Sequence, residues 1–89
     1  MNWKIEFDTK ARDEFLRLDT SVKKRIIKFI DTRLLKSANP RKFGSPLKGH
    51  LSELWKYRVG DCRLVCKIED NFLTILLVSI GHRSEIYKS

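Results

Sequence analysis

The stretch that decides the fold runs Leu54-Trp55-Lys56-Tyr57-Arg58-Val59-Gly60-Asp61-Cys62-Arg63-Leu64-Val65-Cys66-Lys67-Ile68. Apolar and charged residues alternate on both sides of Gly60-Asp61, the period of a strand with one buried face. Gly60-Asp61 suits a two-residue turn with glycine at its first centre. Folding there pairs Val59 with Cys62 and then Arg58 with Arg63. Trp55, Tyr57 and Val59 fall on one face. Lys56 and Arg58 fall on the other, roughly 6.6 Å apart by strand rise, with Lys67 farther along the same face.

Two arginines directly opposite each other on one sheet face repel. A solvated basic face explains one or two lysines. A cross-strand arginine pair with Lys56 alongside points to a site, because local rules are broken mostly where function demands it. A phosphate would neutralise the pair, and the planar fork of arginine suits it.

The flanking segments extend the sheet. Downstream, Asp70-Asn71 reads as a second tight turn, and residues 72–80, which hold the most apolar run Leu73-Thr74-Ile75-Leu76-Leu77-Val78-Ser79-Ile80, as a strand buried on much of both faces. Strict alternation from that turn puts Phe72, Thr74, Leu76, Val78 and Ile80 on the arginine face and sends His82 there too. Upstream, Pro40, Gly44, Pro46 and Gly49 mark residues 38–51 as a loop that also carries Lys48. Before it, Ala11, Phe15 and Leu18 and then Val22, Ile26, Phe29, Ile30, Arg33 and Leu34 recur at helical spacing. Asp8 or Thr9 caps the first helix, and the Asp19-Thr20-Ser21 cluster separates the two as an αα-hairpin. Trp3-Lys4-Ile5-Glu6-Phe7-Asp8 alternates as a strand. The predicted class is α+β in the order β-α-α-β-β-β. It comprises a small, largely antiparallel four-stranded sheet with a two-helix hairpin packed on one face.

Eighty-nine residues suit a single domain over 1–89. The net charge of +8, from 19 Lys+Arg against 11 Asp+Glu, favours polyanionic partners. It is concentrated: residues 41–67 hold Arg41, Lys42, Lys48, Lys56, Arg58, Arg63 and Lys67 against Glu53 and Asp61. The longest apolar run falls far short of the ~20 residues that span a bilayer, and Met1-Asn2-Trp3-Lys4 opens with no signal-peptide pattern. No membrane partner is expected. Cys62 and Cys66 on one strand lie roughly 13 Å apart, too far for a disulfide, so two reduced thiols and a cytoplasmic location are expected. No histidine or cysteine pair has metal-site spacing, and no metal or other cofactor is expected.

The ending Gly81-His82-Arg83-Ser84-Glu85-Ile86-Tyr87 follows the most apolar strand. That strand runs back beside Cys62 and Arg63, so the tail enters the space next to the arginine pair. Gly81 frees the backbone to leave the sheet. Singly, His82 reads as a turn residue, Arg83 as a partner of Glu85 and Tyr87 as a ring anchor. Together beside Arg58 and Arg63 they form a constellation for metal-independent RNA cleavage. The 2′-hydroxyl attacks the adjacent phosphate. Lys56, Arg58 and Arg63 supply cations for the developing charge, and Tyr87 and His82 supply ordinary base or acid chemistry. Surrounding arginines favour the phenolate of Tyr87. DNA lacks the 2′-hydroxyl, so such a site selects RNA.

The segments PLKGHLSELWKYRVGDCRLVCKI and LLVSIGHRSEIY resemble the RelE/ParE superfamily of bacterial toxins, and the ending is closer to its RelE branch. The resemblance covers nearly the whole chain, element order included. It implies a ribosome-dependent mRNA endonuclease that cuts in the ribosomal A site and halts translation. It implies Tyr87 as general base, Arg83 or His82 as acid, and Arg63 with Lys56 and Arg58 as catalytic and phosphate-binding cations. Lys67, on the same sheet face, and Lys48, in the basic stretch 41–67, are further expected RNA-binding cations. Arg58 stands where a lysine is common in the family. The partners implied are a cognate antitoxin protein, the ribosome with its bound mRNA, and operator DNA bound through the antitoxin. The helix hairpin or apolar residues of the last strand are the expected antitoxin surface. Two other readings fit the basic charge: a ParE-like gyrase inhibitor that cuts no RNA, and a nucleic-acid-binding module without catalysis.

Overall fold

The computed structural model describes residues 3–49 and 53–82, and only the backbone of His82. Strand β1 (Lys4–Phe7) leads into helix α1 (Thr9–Leu16), and α2 (Thr20–Phe29) completes the helix hairpin. Strands β2 (Ser45–Pro46), β3 (Leu54–Val59), β4 (Cys62–Glu69) and β5 (Thr74–His82) follow. The sheet order is β1-β5-β4-β3-β2. β1 runs parallel to β5, and the other neighbours are antiparallel.

Local chemistry explains the helical boundaries. The Asp8 carboxylate accepts a hydrogen bond from the Lys10 amide at 2.8 Å and caps α1. Asp19 occupies the cap position of α2 without a side-chain bond, and its carbonyl accepts from the Lys23 amide at 2.9 Å. The helix continues as a π-helical turn over Ile30–Leu34. Ile26, Ile30 and Leu34, four apart, are all buried and form one stripe toward the sheet.

The core lies between this hairpin and one face of the sheet. α1 packs on β5 and α2 on β3. Tyr57, Val59, Cys62, Leu64, Cys66, Ile68, Ile75, Leu77 and Ile80 face inward, with Ala11 fully buried beneath α1. The alternation around Gly60-Asp61 therefore predicts the buried face correctly. Cys62 and Cys66 are both buried and not joined in a disulfide, and burial pushes the Cys66 thiol up to about 12.

Three features differ from the sequence-based expectation. The sheet has five strands, because Ser45 and Pro46 pair with Lys56 and Trp55. Two residues, one a proline, carry no readable alternation, and an edge strand tolerates the missing N–H. The connection after β4 is a 3-10 turn over Asp70–Phe72 ending at Leu73 with φ 46°, so Glu69 pairs with Thr74. Finally, β5 carries a bulge: Val65 pairs with Ser79 but Cys66 with Leu77, leaving Val78 without a partner. The bulge resets alternation, so Leu77 and Ile80 both face the core. Gly81, not His82, stands opposite Arg63, and His82 stands opposite Cys62. Strict alternation had assigned these positions to the reverse faces.

Arg41 ties the loop before β2 to the β4–β5 turn. Its guanidinium donates to both carboxylate oxygens of Asp70, at 2.9 and 2.7 Å, and lies 5.8 Å from the Trp55 ring centroid. Those hydrogen bonds hold the Asp70 carboxyl below its ordinary value of 3.8. A carboxyl depressed in the folded state stabilises above its unfolded pKa and loses that contribution as pH falls through the folded value. Asp70→Asn is therefore expected to lower Tm slightly at neutral pH. The difference from wild type closes as pH falls through the depressed folded value, below 3.8, as thermal melts across pH will show. Among the described residues no helix is long and apolar enough to cross a membrane.

Candidate nucleic-acid site

The β3–β4 hairpin places its cations by register alone. Arg58 is the direct partner of Arg63, Val59 of Cys62 and Lys56 of Val65. Gly60, at φ 59°, makes the tight turn possible. Lys56 and Arg58 are exposed, and Arg63 is half-buried. All three line a concavity of about 280 Å³ closed on one side by Phe43, Gly44 and Ser45. Ser45 pairs with Lys56, so β2 forms the wall beside the basic strand.

Gly44 lets that wall approach. A Cβ there would lie 2.7 Å from the Lys56 carbonyl oxygen and 2.7 Å from the Tyr57 ring. Gly44→Ala is expected to push β2 off β3, open the concavity and cost ~1–3 kcal/mol, as overpacking does. Thermal unfolding checks it: ~1 kcal/mol in a domain this small lowers Tm by ~4–8 °C.

Tyr57 also borders the concavity but has a structural role. Its hydroxyl donates to the Pro40 carbonyl at 2.9 Å, and its ring lies 5.9 Å from that of Phe29. Burial raises its pKa well above the ordinary 10.0. The described lining therefore offers cations and the Ser45 hydroxyl, with no group poised as a base. No cluster of metal-ligating side chains occurs among the described residues.

The remaining sequence-predicted residues divide by position. Lys67 shares the basic face but stands opposite Leu54, at the other end of the hairpin. It lines a separate hollow with Asp70 and Phe72. Lys48 is exposed in the connection after β2 and does not line the concavity. The His82 side chain, Arg83 and Tyr87 lie outside the described residues. What is described is where β5 delivers the chain: Gly81 sits opposite Arg63, one strand over from Arg58. Gly44 and Ser45, which shape the wall, were not read from the sequence as site residues. The only available signal was their membership of a glycine- and proline-rich loop.

A second, larger groove of about 450 Å³ runs along α2 over Ile27 and the stems of Lys23, Lys24 and Lys28. Ile27 and Leu16 are exposed apolar residues of the helix hairpin.

Comparison with known proteins agrees with this architecture. The family model described as the ParE toxin of type II toxin-antitoxin system, parDE, matches residues 5–87. Toxin RelG of Mycobacterium tuberculosis is 28% identical over 88 residues, covering 99% of both chains. Toxin RelE of the same organism is 34% identical over 80 residues, covering 90% of this chain and 79% of that one. A solved structure of the toxin–antitoxin complex RelBE2 from Mycobacterium tuberculosis superposes with a TM-score of 0.84 at 25% identity, covering 94% of each chain. With the helix hairpin, the sheet order and the cationic concavity in place, these matches show that the chain belongs to the RelE/ParE family, the toxins of type II toxin–antitoxin systems.

Proposed function

We propose that the chain is an endoribonuclease of the RelE type, cutting mRNA in the ribosomal A site without a metal and so inhibiting translation. The observation that carries this reading is the facing pair Arg58 and Arg63 beside Lys56, around a concavity next to the point where β5 ends. A pair of guanidinium groups on adjacent strands suits one phosphate. Charge develops on that phosphate as the 2′-oxygen attacks, and fixed cations stabilise the transition state more than the ground state.

The reaction is a transesterification. A base removes the 2′-hydroxyl proton, the 2′-oxygen bonds to phosphorus, and the bond from phosphorus to the 5′-oxygen breaks. An acid protonates the leaving 5′-oxygen, leaving a 2′,3′-cyclic phosphate and a 5′-hydroxyl. Tyr57 is committed to Pro40, so the base falls to Tyr87 and the acid to Arg83 or His82. Lys67 and Lys48, outside the concavity, are assigned to the flanking RNA backbone. Their contribution is electrostatic and salt-dependent.

A cognate antitoxin completes the reading, since the similar RelBE2 structure is a toxin–antitoxin complex. The α2 groove with exposed Ile27 suits the apolar face of an antitoxin helix, and Leu16 is a second exposed apolar residue of the helix hairpin. Operator DNA would be engaged through the antitoxin.

The second reading, gyrase inhibition without RNA cleavage, draws on the family description as a ParE toxin. One experiment separates them. The protein is added to a translating extract and mRNA 5′ ends are mapped by primer extension. New ends at A-site codons are expected. Intact mRNA together with blocked DNA supercoiling would establish the second reading instead.

A further inference from the structure

Strand β1 accompanies β5 only as far as Phe7, which pairs with Leu77, and the Asp8 amide makes the last rung to the Leu77 carbonyl at 2.9 Å. β5 continues to His82. Beyond Leu77 no strand among the described residues flanks that edge. There α1 takes over. The Ile80 amide donates to the Glu14 carboxylate at 3.0 Å, a partly buried contact across 66 positions of sequence. Glu14 is itself well anchored: Ala11 is fully buried, and the Phe15 ring packs edge-on against Phe7 at 5.4 Å.

This hydrogen bond lies two residues past the bulge at Val78. The bulge inserts one residue into β5, and a one-residue slip of the segment beyond it would turn every following side chain to the other face. On its other side β5 is held by β4, with Ile80 opposite Leu64 and Gly81 opposite Arg63.

We propose that Glu14 is a positioning residue: its carboxylate locks the last rungs of β5 so that Gly81 stays opposite Arg63. It thereby sets the point and direction from which His82, Arg83 and Tyr87 depart. The consequence for catalysis rests on the RNA-cleaving reading above; the lock itself does not. Glu14 touches no substrate in this scheme and acts through the backbone of β5.

The test compares the full-length wild type with Glu14→Ala and Glu14→Gln. In Glu14→Ala, amide exchange at Ile80 is expected to accelerate roughly tenfold or more, as for loss of a hydrogen bond to a charged group. Exchange at Ile75 and Leu77 stays slow. A-site cleavage falls ~10- to 100-fold in turnover, the scale of a misplaced catalytic group, at an unchanged half-saturating ribosome concentration. Glu14→Gln, whose amide oxygen still accepts, restores both readouts. Unchanged Ile80 exchange in Glu14→Ala overturns the lock. Fast Ile80 exchange with wild-type turnover overturns the positioning role. If wild type cuts no RNA, the cleavage reading fails on its own, and Ile80 exchange alone judges the lock. Should Glu14→Ala not fold, Glu14→Asp, one methylene shorter, takes its place against Glu14→Gln.

Discussion

Arg63→Ala is expected to abolish A-site cleavage almost completely, lowering turnover by ~10²–10³-fold, the usual loss when one preorganised donor to a developing charge is removed. The magnitude follows from its position. Arg63 is half-buried, opposite Arg58, and opposite Gly81 on its other side. Among the described residues it is the one cation whose strand partners are an arginine on one side and the exit of β5 on the other. A partly dry guanidinium interacts with a phosphate more strongly than a fully solvated one. Arg58→Ala, at an exposed position, is expected to cost less, and Lys56→Ala less again. Arg63→Lys keeps the charge but loses the planar fork, so it falls between wild type and alanine. Primer extension on a reporter mRNA gives the rates, and a thermal melt separates a lost cation from a lost fold. Equal cleavage by wild type and Arg63→Ala would remove the arginine pair from the mechanism. The three variants also distinguish a non-catalytic binding module. There each substitution would weaken binding and flatten its salt dependence by about one phosphate contact, with no cleavage to lose.

The arrangement behind these predictions was partly legible in the sequence, for a definable reason. A two-residue turn at Gly60-Asp61 sets register for every pair in its hairpin, so Arg58 opposite Arg63 followed from residue types alone. The buried stripe Ile26, Ile30, Leu34 was legible by its spacing, and Tyr57 and Val59 by alternation. What was not legible depends on backbone events that leave little trace in composition. The bulge at Val78 falls inside a run of apolar residues where either face could be buried, so the pattern carries no phase. The 3-10 turn at Asp70–Phe72 has the composition of a tighter turn. Arg41 with Asp70, and Glu14 with the Ile80 amide, join positions 29 and 66 residues apart. Only the assembled topology brings them together. The half of the site on β3 and β4 was therefore accessible to local reasoning. Its orientation relative to the chain leaving β5 required the bulge.

Tyr87→Phe is the second large effect expected. Removing one oxygen deletes the proposed base while keeping the ring, and turnover should fall by ~10²–10⁴-fold, the range for a positioned acid or base. Binding to ribosomes should change little, because the cations of the concavity remain. Tyr57 cannot substitute. It shares the side-chain type, but its hydroxyl is donated to the Pro40 carbonyl, and burial holds its proton on far above neutral pH. Tyr57→Phe is accordingly a contrasting control, expected to lower Tm through the unpaired Pro40 carbonyl while turnover per folded molecule is retained. The acid is assigned by the same design. An imidazole ordinarily titrates near neutrality, so if His82 is the acid, His82→Gln moves the alkaline limb of the pH–rate profile as well as its height. If Arg83 is the acid, Arg83→Ala lowers the rate at every pH and His82→Gln leaves the profile in place. Wild-type turnover in Tyr87→Phe would refute the base assignment. Intact cleavage in His82→Gln and Arg83→Ala together would leave water to protonate the leaving 5′-oxygen, with the arginine pair as the main source of rate acceleration.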